Sequence, residues 1–274
     1  MKIVVVGCGY LGMDIAAFWK KKGHAITVTT RSAEKLEALS KISRKSILLR
    51  DVDEETLAPL LIDHDLIIIA LAADSPEQYE HTYLHTSQAI KHLSRDIEES
   101  KTLIYISSTS VYGDHQGQWV DEESPLLAKG DQTQILIEAE NNYLLLQELG
   151  WSICILRLAE LYGPGRELSK RVRNIEGHVM GGSGDQYSNM VHQKDASAAM
   201  DYVLRHHLDG IYNVADDEHP TRKELYDAVS KKFSLPKAKW DPQHTSLHQG
   251  NKRVSNHKIK AEGFAFHHPH RVLD

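Results

Sequence analysis

Ile3-Val4-Val5-Val6-Gly7-Cys8-Gly9-Tyr10-Leu11-Gly12 is the stretch that decides the fold. Ile3–Val6 is a β-branched run and reads as a first strand. Leu11, Ile15, Phe18 and Trp19 then repeat at helical spacing, Lys20–Lys22 close the helix and Gly23 stops it. Between strand and helix stand three glycines at G-x-G-x-x-G spacing. In that context each has a task. Gly7 permits the tight turn, Gly9 lets a pyrophosphate approach the backbone, and Gly12 lets the helix pack on the strand. With Tyr10 and Leu11 they bring the positive end of a helix to a phosphate group.

Outward from this turn, apolar runs alternate with amphipathic stretches. Strands are expected at Ala25–Thr29, Ser46–Leu49, Leu66–Leu71, Thr102–Ile106 and Trp151–Leu156. Helices are expected at Ser32–Ser40, capped by Ser32, and at Asp53–Leu61, Glu77–Leu93 and Asp131–Leu149. Leu66–Leu71 is apolar at every position, as a strand covered on both faces should be. Strand and helix in alternation give an α/β fold, a doubly wound parallel sheet of the dinucleotide-binding (Rossmann) kind. We expect this domain over 1–157. Beyond Arg157 glycines and prolines break the pattern, although Asp195–His207 and Arg222–Phe233 read as helices and Ile211–Val214 as a strand. Residues 158–274 are expected to form a smaller, irregular substrate-binding part, some of it returning to the main sheet.

Composition narrows the class. The 274 residues carry 32 Lys+Arg against 38 Asp+Glu, a formal charge of −6, which disfavours a nucleic-acid or membrane-surface binder. Two cysteines, Cys8 and Cys154, make no disulfide framework and suit a reducing compartment. The apolar opening is too short and too glycine-rich for a signal segment, and no run nears a spanning helix. A cytoplasmic location is expected. His267, His268 and His270 lie in a Pro-broken tail, and no metal site is expected from them.

The cofactor's other contacts are expected at the carboxyl ends of the strands. Strand two runs out at Thr29-Thr30-Arg31-Ser32, where an NAD site usually carries an acid for the ribose diol. Arg31 suits a 2′-phosphate instead, with Ser32 beside it, so NADP is favoured over NAD. Asp51 and Val52, after strand three, are placed for the adenine. Leu71, Ala72 and Ala73 follow strand four, and Ser107 follows strand five.

Ser107-Ser108-Thr109-Ser110-Val111-Tyr112-Gly113 is similar to the S-S-x-x-V-Y-G element of the extended short-chain dehydrogenase/reductases, the NAD-dependent epimerase/dehydratase family. Leu156-Arg157 with Leu161-Tyr162-Gly163-Pro164-Gly165, Val191-His192-Gln193-Lys194-Asp195-Ala196 and Gly210-Ile211-Tyr212-Asn213-Val214 match further elements in the family's order. The resemblance spans about residues 1–235, and SSTSVYGD followed by GQWVDEESP is closest to one bacterial subgroup. It implies a nicotinamide cofactor, a small-molecule substrate of the sugar-nucleotide kind, and room for a homodimer. It also implies a Tyr and a Lys four residues apart before strand six. Counting back from Ala139-Glu140, those positions hold Gln132 and Leu136, or Thr133 and Ile137 one place on. This is the pattern of the atypical members. Catalysis would then fall to Ser108, at the place of the family's hydroxyl, with Tyr112 and Tyr162. The alternative is an NADP-holding sensor or regulatory protein without turnover.

Overall fold

A computed structural model describes residues 1–50, 52–127, 129–244 and 250–274. Seven strands form one sheet: β1 (Lys2–Val6), β2 (Ala25–Thr30), β3 (Lys45–Leu48), β4 (Leu66–Ile69), β5 (Thr102–Ser108), β6 (Ser152–Leu158) and β7 (Gly210–Val214). Their order is β7-β6-β5-β4-β1-β2-β3. The pairs β1–β2, β1–β4, β2–β3 and β4–β5 are parallel. The chain builds outward from β1 to β3, then returns to the other side of β1 with β4. Ligands of such sheets bind outside the carboxyl ends of the strands at this switch point.

By contact the chain forms two compact units. The first is Met1–Ser108, Gly130–Leu156 and Met200–Ile211; the second is Thr109–Lys129, Arg157–Ala199 and Tyr212–Asp274. The sequence pattern predicts one boundary after Arg157, whereas by contact the units interleave along the chain.

The first unit packs helices on its sheet. Val4, Val6, Ile67, Ile69, Leu103, Tyr105, Ile153 and Ile155 of the strands share one core with Leu60, Leu61, Ile90, Ala139 and Tyr143 of the helices. Glu54–Asp63 begins where Asp53 caps it, accepting from the Glu55 N–H. The second unit holds three short parallel strand pairs: Glu160–Tyr162 with Met190–His192, Val179–Gly181 with Lys239–Asp241, and Trp119–Val120 with Arg253–Val254. Its core joins Tyr162, Leu168, Val172 and Met190 to Leu225, Tyr226 and Val229 of the helix Arg222–Phe233. No helix among the described residues is long and apolar enough to cross a membrane.

Candidate functional site

The glycine turn leaves β1 after Val6, whose register partner is Ile69 on β4. Gly7 has φ +87°, and a Cβ there would lie 2.8 Å from Leu71 Cδ2 and 2.9 Å from the Ala70 carbonyl oxygen. Only glycine fits that left-handed, crowded position. The Gly7 N–H donates to Thr29 Oγ1 at 3.0 Å and the Cys8 N–H to the Thr29 carbonyl at 2.8 Å. The turn is therefore pinned between the end of β2 and the residues after β4. At Gly12 a Cβ would meet the Gly7 carbonyl at 3.0 Å and Val5 Cγ1 at 3.2 Å, so the helix Tyr10–Lys21 sits tight on its strand.

Gly9 is different. A Cβ built there meets no described atom within 4 Å. The protein's own packing does not require a glycine at this position; the open side is where an outside group can touch backbone. Gly9 is the N-cap of Tyr10–Lys21, no side chain caps that helix, and no acid stands in its first turn. Helix starts carry N–H groups without intrahelical acceptors and a positive dipole end. These features fit a dinucleotide pyrophosphate, held by the Gly7–Gly12 backbone. Such a cofactor, when bound, supplies the hydride chemistry. Burial pushes the Cys8 thiol, inside the turn, up to about 12.

Arg31, just past β2, turns toward the residues after β4. Its Nη2 donates to the Ala72 carbonyl at 2.7 Å and to Asp74 Oδ2 at 2.8 Å. Its Nη1 lies 3.3 Å from Gln78 Oε1 and 3.4 Å from Thr82 Oγ1. Ser32 does not cap its helix by side chain; its own N–H donates to Thr30 Oγ1. The Ala73 N–H donates to the Tyr83 hydroxyl at 3.3 Å, and Leu71 packs on the core. Asp51 lies outside the described residues, and Val52 is half-buried.

At the end of β5, Ser107 Oγ donates to Glu140 Oε1 at 2.5 Å, with both residues buried. Ser108 is half-buried at the last position of the strand. Glu140 comes from the helix Asp131–Leu144, on which Leu136 is buried and Gln132 exposed.

The second unit treats its hydroxyls differently. The Tyr112 hydroxyl donates to Asn213 Oδ1 at 2.7 Å and accepts from Arg157 Nη1 at 3.0 Å. Tyr162 accepts from the Val272 N–H at 3.3 Å. Neither residue has exposed surface, and burial pushes both phenols up to about 12. Their bonding is that of packed rings with a satisfied hydroxyl, which makes them poor proton carriers.

His192, Asp195 and His268 bring ligand-type atoms within 4.8 Å of one another. His192 Nδ1 accepts from the Lys194 N–H, and the His192 and His268 rings stack at 3.8 Å between centroids. Asp195 accepts from the backbone N–H groups of His267 and His268 and lies within hydrogen-bond distance of their Nδ1 atoms, clasping the tail. His270 pairs with Glu218.

A model of the NAD dependent epimerase/dehydratase family matches residues 3–215. The chain belongs to that family. This family member is 31% identical to Protein YeeZ of Escherichia coli (strain K12), over 98% of its own length and 96% of YeeZ. A putative NAD-dependent epimerase/dehydratase from Methylobacillus flagellatus superposes with a TM-score of 0.74 at 25% identity, covering 98% of this chain and 94% of that one. UDP-glucose 4-epimerase of Thermus thermophilus, solved with NAD, gives 0.78 at 19% identity over 97% and 94%. At that identity the last likeness shows the fold alone. Within this epimerase/dehydratase chain, sequence reasoning misses three side chains: Thr29, which pins the turn; Asp74, which holds Arg31; and Glu140, which holds Ser107. Glu140 enters the sequence reading only as a register mark, and an acid shortly after a strand is the one signal for Asp74.

Proposed function

We propose that this family member binds NADP(H) in preference to NAD(H), in the cytoplasm. There it serves as an oxidoreductase-, epimerase- or dehydratase-type enzyme on a small, sugar-nucleotide-like substrate, without the family's usual Tyr-Lys pair. The observation that carries the cofactor reading is the open side of Gly9 beneath an uncapped helix start, next to two glycines that packing itself explains. Arg31 supports the 2′-phosphate, since a guanidinium matches phosphate geometry and keeps its charge. The substrate class is taken from the UDP-glucose 4-epimerase that shares the fold. Ser108 is the hydroxyl proposed to meet the substrate oxygen. Tyr112 and Tyr162, expected beside it, leave the proposal because their hydroxyls are bonded in the interior.

One observation favours a second reading, a sensor without turnover. Gln132 and Leu136 stand where the resemblance puts the acid–base pair, and neither an amide nor an alkyl group moves a proton well. Calorimetry with NADP+ and NAD+, followed by reduced-nicotinamide assays on a panel of sugar nucleotides, tests both. We expect one dinucleotide per chain, and turnover that falls about 10²–10⁴-fold in Ser108→Ala. No binding at millimolar concentration overturns the cofactor reading. Binding with no turnover on any substrate selects the sensor.

A further inference from the structure

Sheet order places β1 between β2 and β4. The glycine turn at the end of β1 is pinned by Thr29 on one side and crowded by Ala70 and Leu71 on the other. A little further along each flanking segment come Arg31 and Ala72–Asp74, and these are joined. The guanidinium thus joins the two segments that flank the carboxyl end of β1. The Arg31–Asp74 link is a strap beside the glycine turn, between the ends of β2 and β4.

The strap is built to be exchanged. Asp74 is 77% exposed and the Arg31 side chain 34%, so both charges stay hydrated, and pairs of this kind are weak. A phosphate offers more charge than a carboxylate and the same bidentate fit. A ribose hydroxyl offers no charge and cannot take a guanidinium from a carboxylate. Resting on the reading of Arg31 as the 2′-phosphate partner, we infer that Asp74 is a resident competitor for that subsite. NADP(H) opens the strap and NAD(H) leaves it closed. Asp74 thereby sets how strongly the protein discriminates between the two cofactors. Opening also releases the Ala72 carbonyl and the longer contacts to Gln78 and Thr82, so the segment after β4 is freed only by the phosphorylated dinucleotide.

The test is calorimetric titration of wild type, Asp74→Asn, Asp74→Glu and Arg31→Ala with NADP+ and with NAD+. Losing one charged partner should weaken NADP+ about ten- to a hundredfold in Arg31→Ala and leave NAD+ alone. Asp74→Asn should tighten NADP+ by up to about fivefold, the upper end for an exposed pair, with NAD+ unchanged. Asp74→Glu should keep the competitor and behave as wild type. A selective loss of NADP+ in Arg31→Ala with no gain in Asp74→Asn overturns the competitor and spares the reading of Arg31. Equal effects of Arg31→Ala on both cofactors, or a wild type that binds neither, overturn the two together.

Discussion

Arg31 and Arg271 each hold an aspartate at 2.8 Å, yet the two regions are built to different ends. Arg271 and Asp216 are sealed from water, with side-chain exposures of 1% and 0%. The Arg271 guanidinium also donates to Ser188 Oγ, to the Ser188 carbonyl and to the Glu218 carbonyl, so the protein meets its hydrogen bonds internally. Arg31 sits in a pair that water reaches. A charge whose partners are all buried with it is committed to the fold, because nothing outside can compete without a desolvation cost. A charge held by an exposed carboxylate can change partners. Tyr112 and the open side of Gly9 repeat the contrast: one polar group is closed by its neighbours, and the other surface has no described neighbour at all.

The largest effect should come from breaking the buried pair. Arg271→Met strips the buried Asp216 of its counter-charge, where burial already raises its pKa to about 6, and should cost about 3–5 kcal/mol in urea unfolding. Asp74→Asn in the same assay should cost less than about 1 kcal/mol. The double variant Arg271→Met/Asp216→Leu should recover much of the loss, because no unpartnered buried carboxyl remains. Equal losses in Arg271→Met and Asp74→Asn would erase the distinction between the regions.

Within the glycine turn the contrast sharpens to neighbouring residues. Gly7→Ala forces a side chain into positive φ and against the Ala70 carbonyl, and should cost about 1–3 kcal/mol of stability. Gly9→Ala should cost less stability than Gly7→Ala, since no described atom crowds the added Cβ. It should nevertheless weaken dinucleotide binding by at least about tenfold, or 1.4 kcal/mol. Normal binding by Gly9→Ala would mean that the open side faces no ligand.

A further effect is electrostatic. Burial first, then the charges of Arg271 and Arg253, lower His219 from 6.5 to about 4. The unfolded chain therefore takes up this proton before the folded one does. Stability should fall as pH drops from 6.5 toward 4 and level off below it. Calorimetric melts across that range should show a shallower slope in His219→Gln. An unchanged slope would show that the folded protein does not hold His219 neutral across this range.

Roles set by neighbours in sequence are legible; roles set across the sheet are not. The glycine spacing is legible, and in the structure a Cβ would be crowded at Gly7 and Gly12 and uncrowded at Gly9. The doubly wound sheet follows from β-branched runs that end up fully buried. Strand four is expected to reach Leu71 but ends at Ile69, the register partner of Val6, the last residue of β1. The expected helix Glu77–Leu93 is broken into a 3₁₀ turn, a π-helical stretch over Glu80–His85 and an α-helix from Thr86. Apolar spacing does not report such a change of winding, which here accompanies the tilted Tyr79–Tyr83 pair at 4.7 Å. The partner of Arg31 is 43 residues away, and Glu140 is 33 residues from Ser107. No local pattern encodes pairings that only the crossovers bring together.

The sulfur at the centre of the glycine turn has a consequence of its own. Peroxides and alkylating reagents attack thiolate, and with its pKa pushed to about 12 Cys8 supplies almost none at neutral pH. Burial and the raised pKa therefore disfavour attack on this thiol. On the proposed reading, a shift in redox balance would reach this region through which form of the dinucleotide occupies it, and not through damage to the residue that lies beneath.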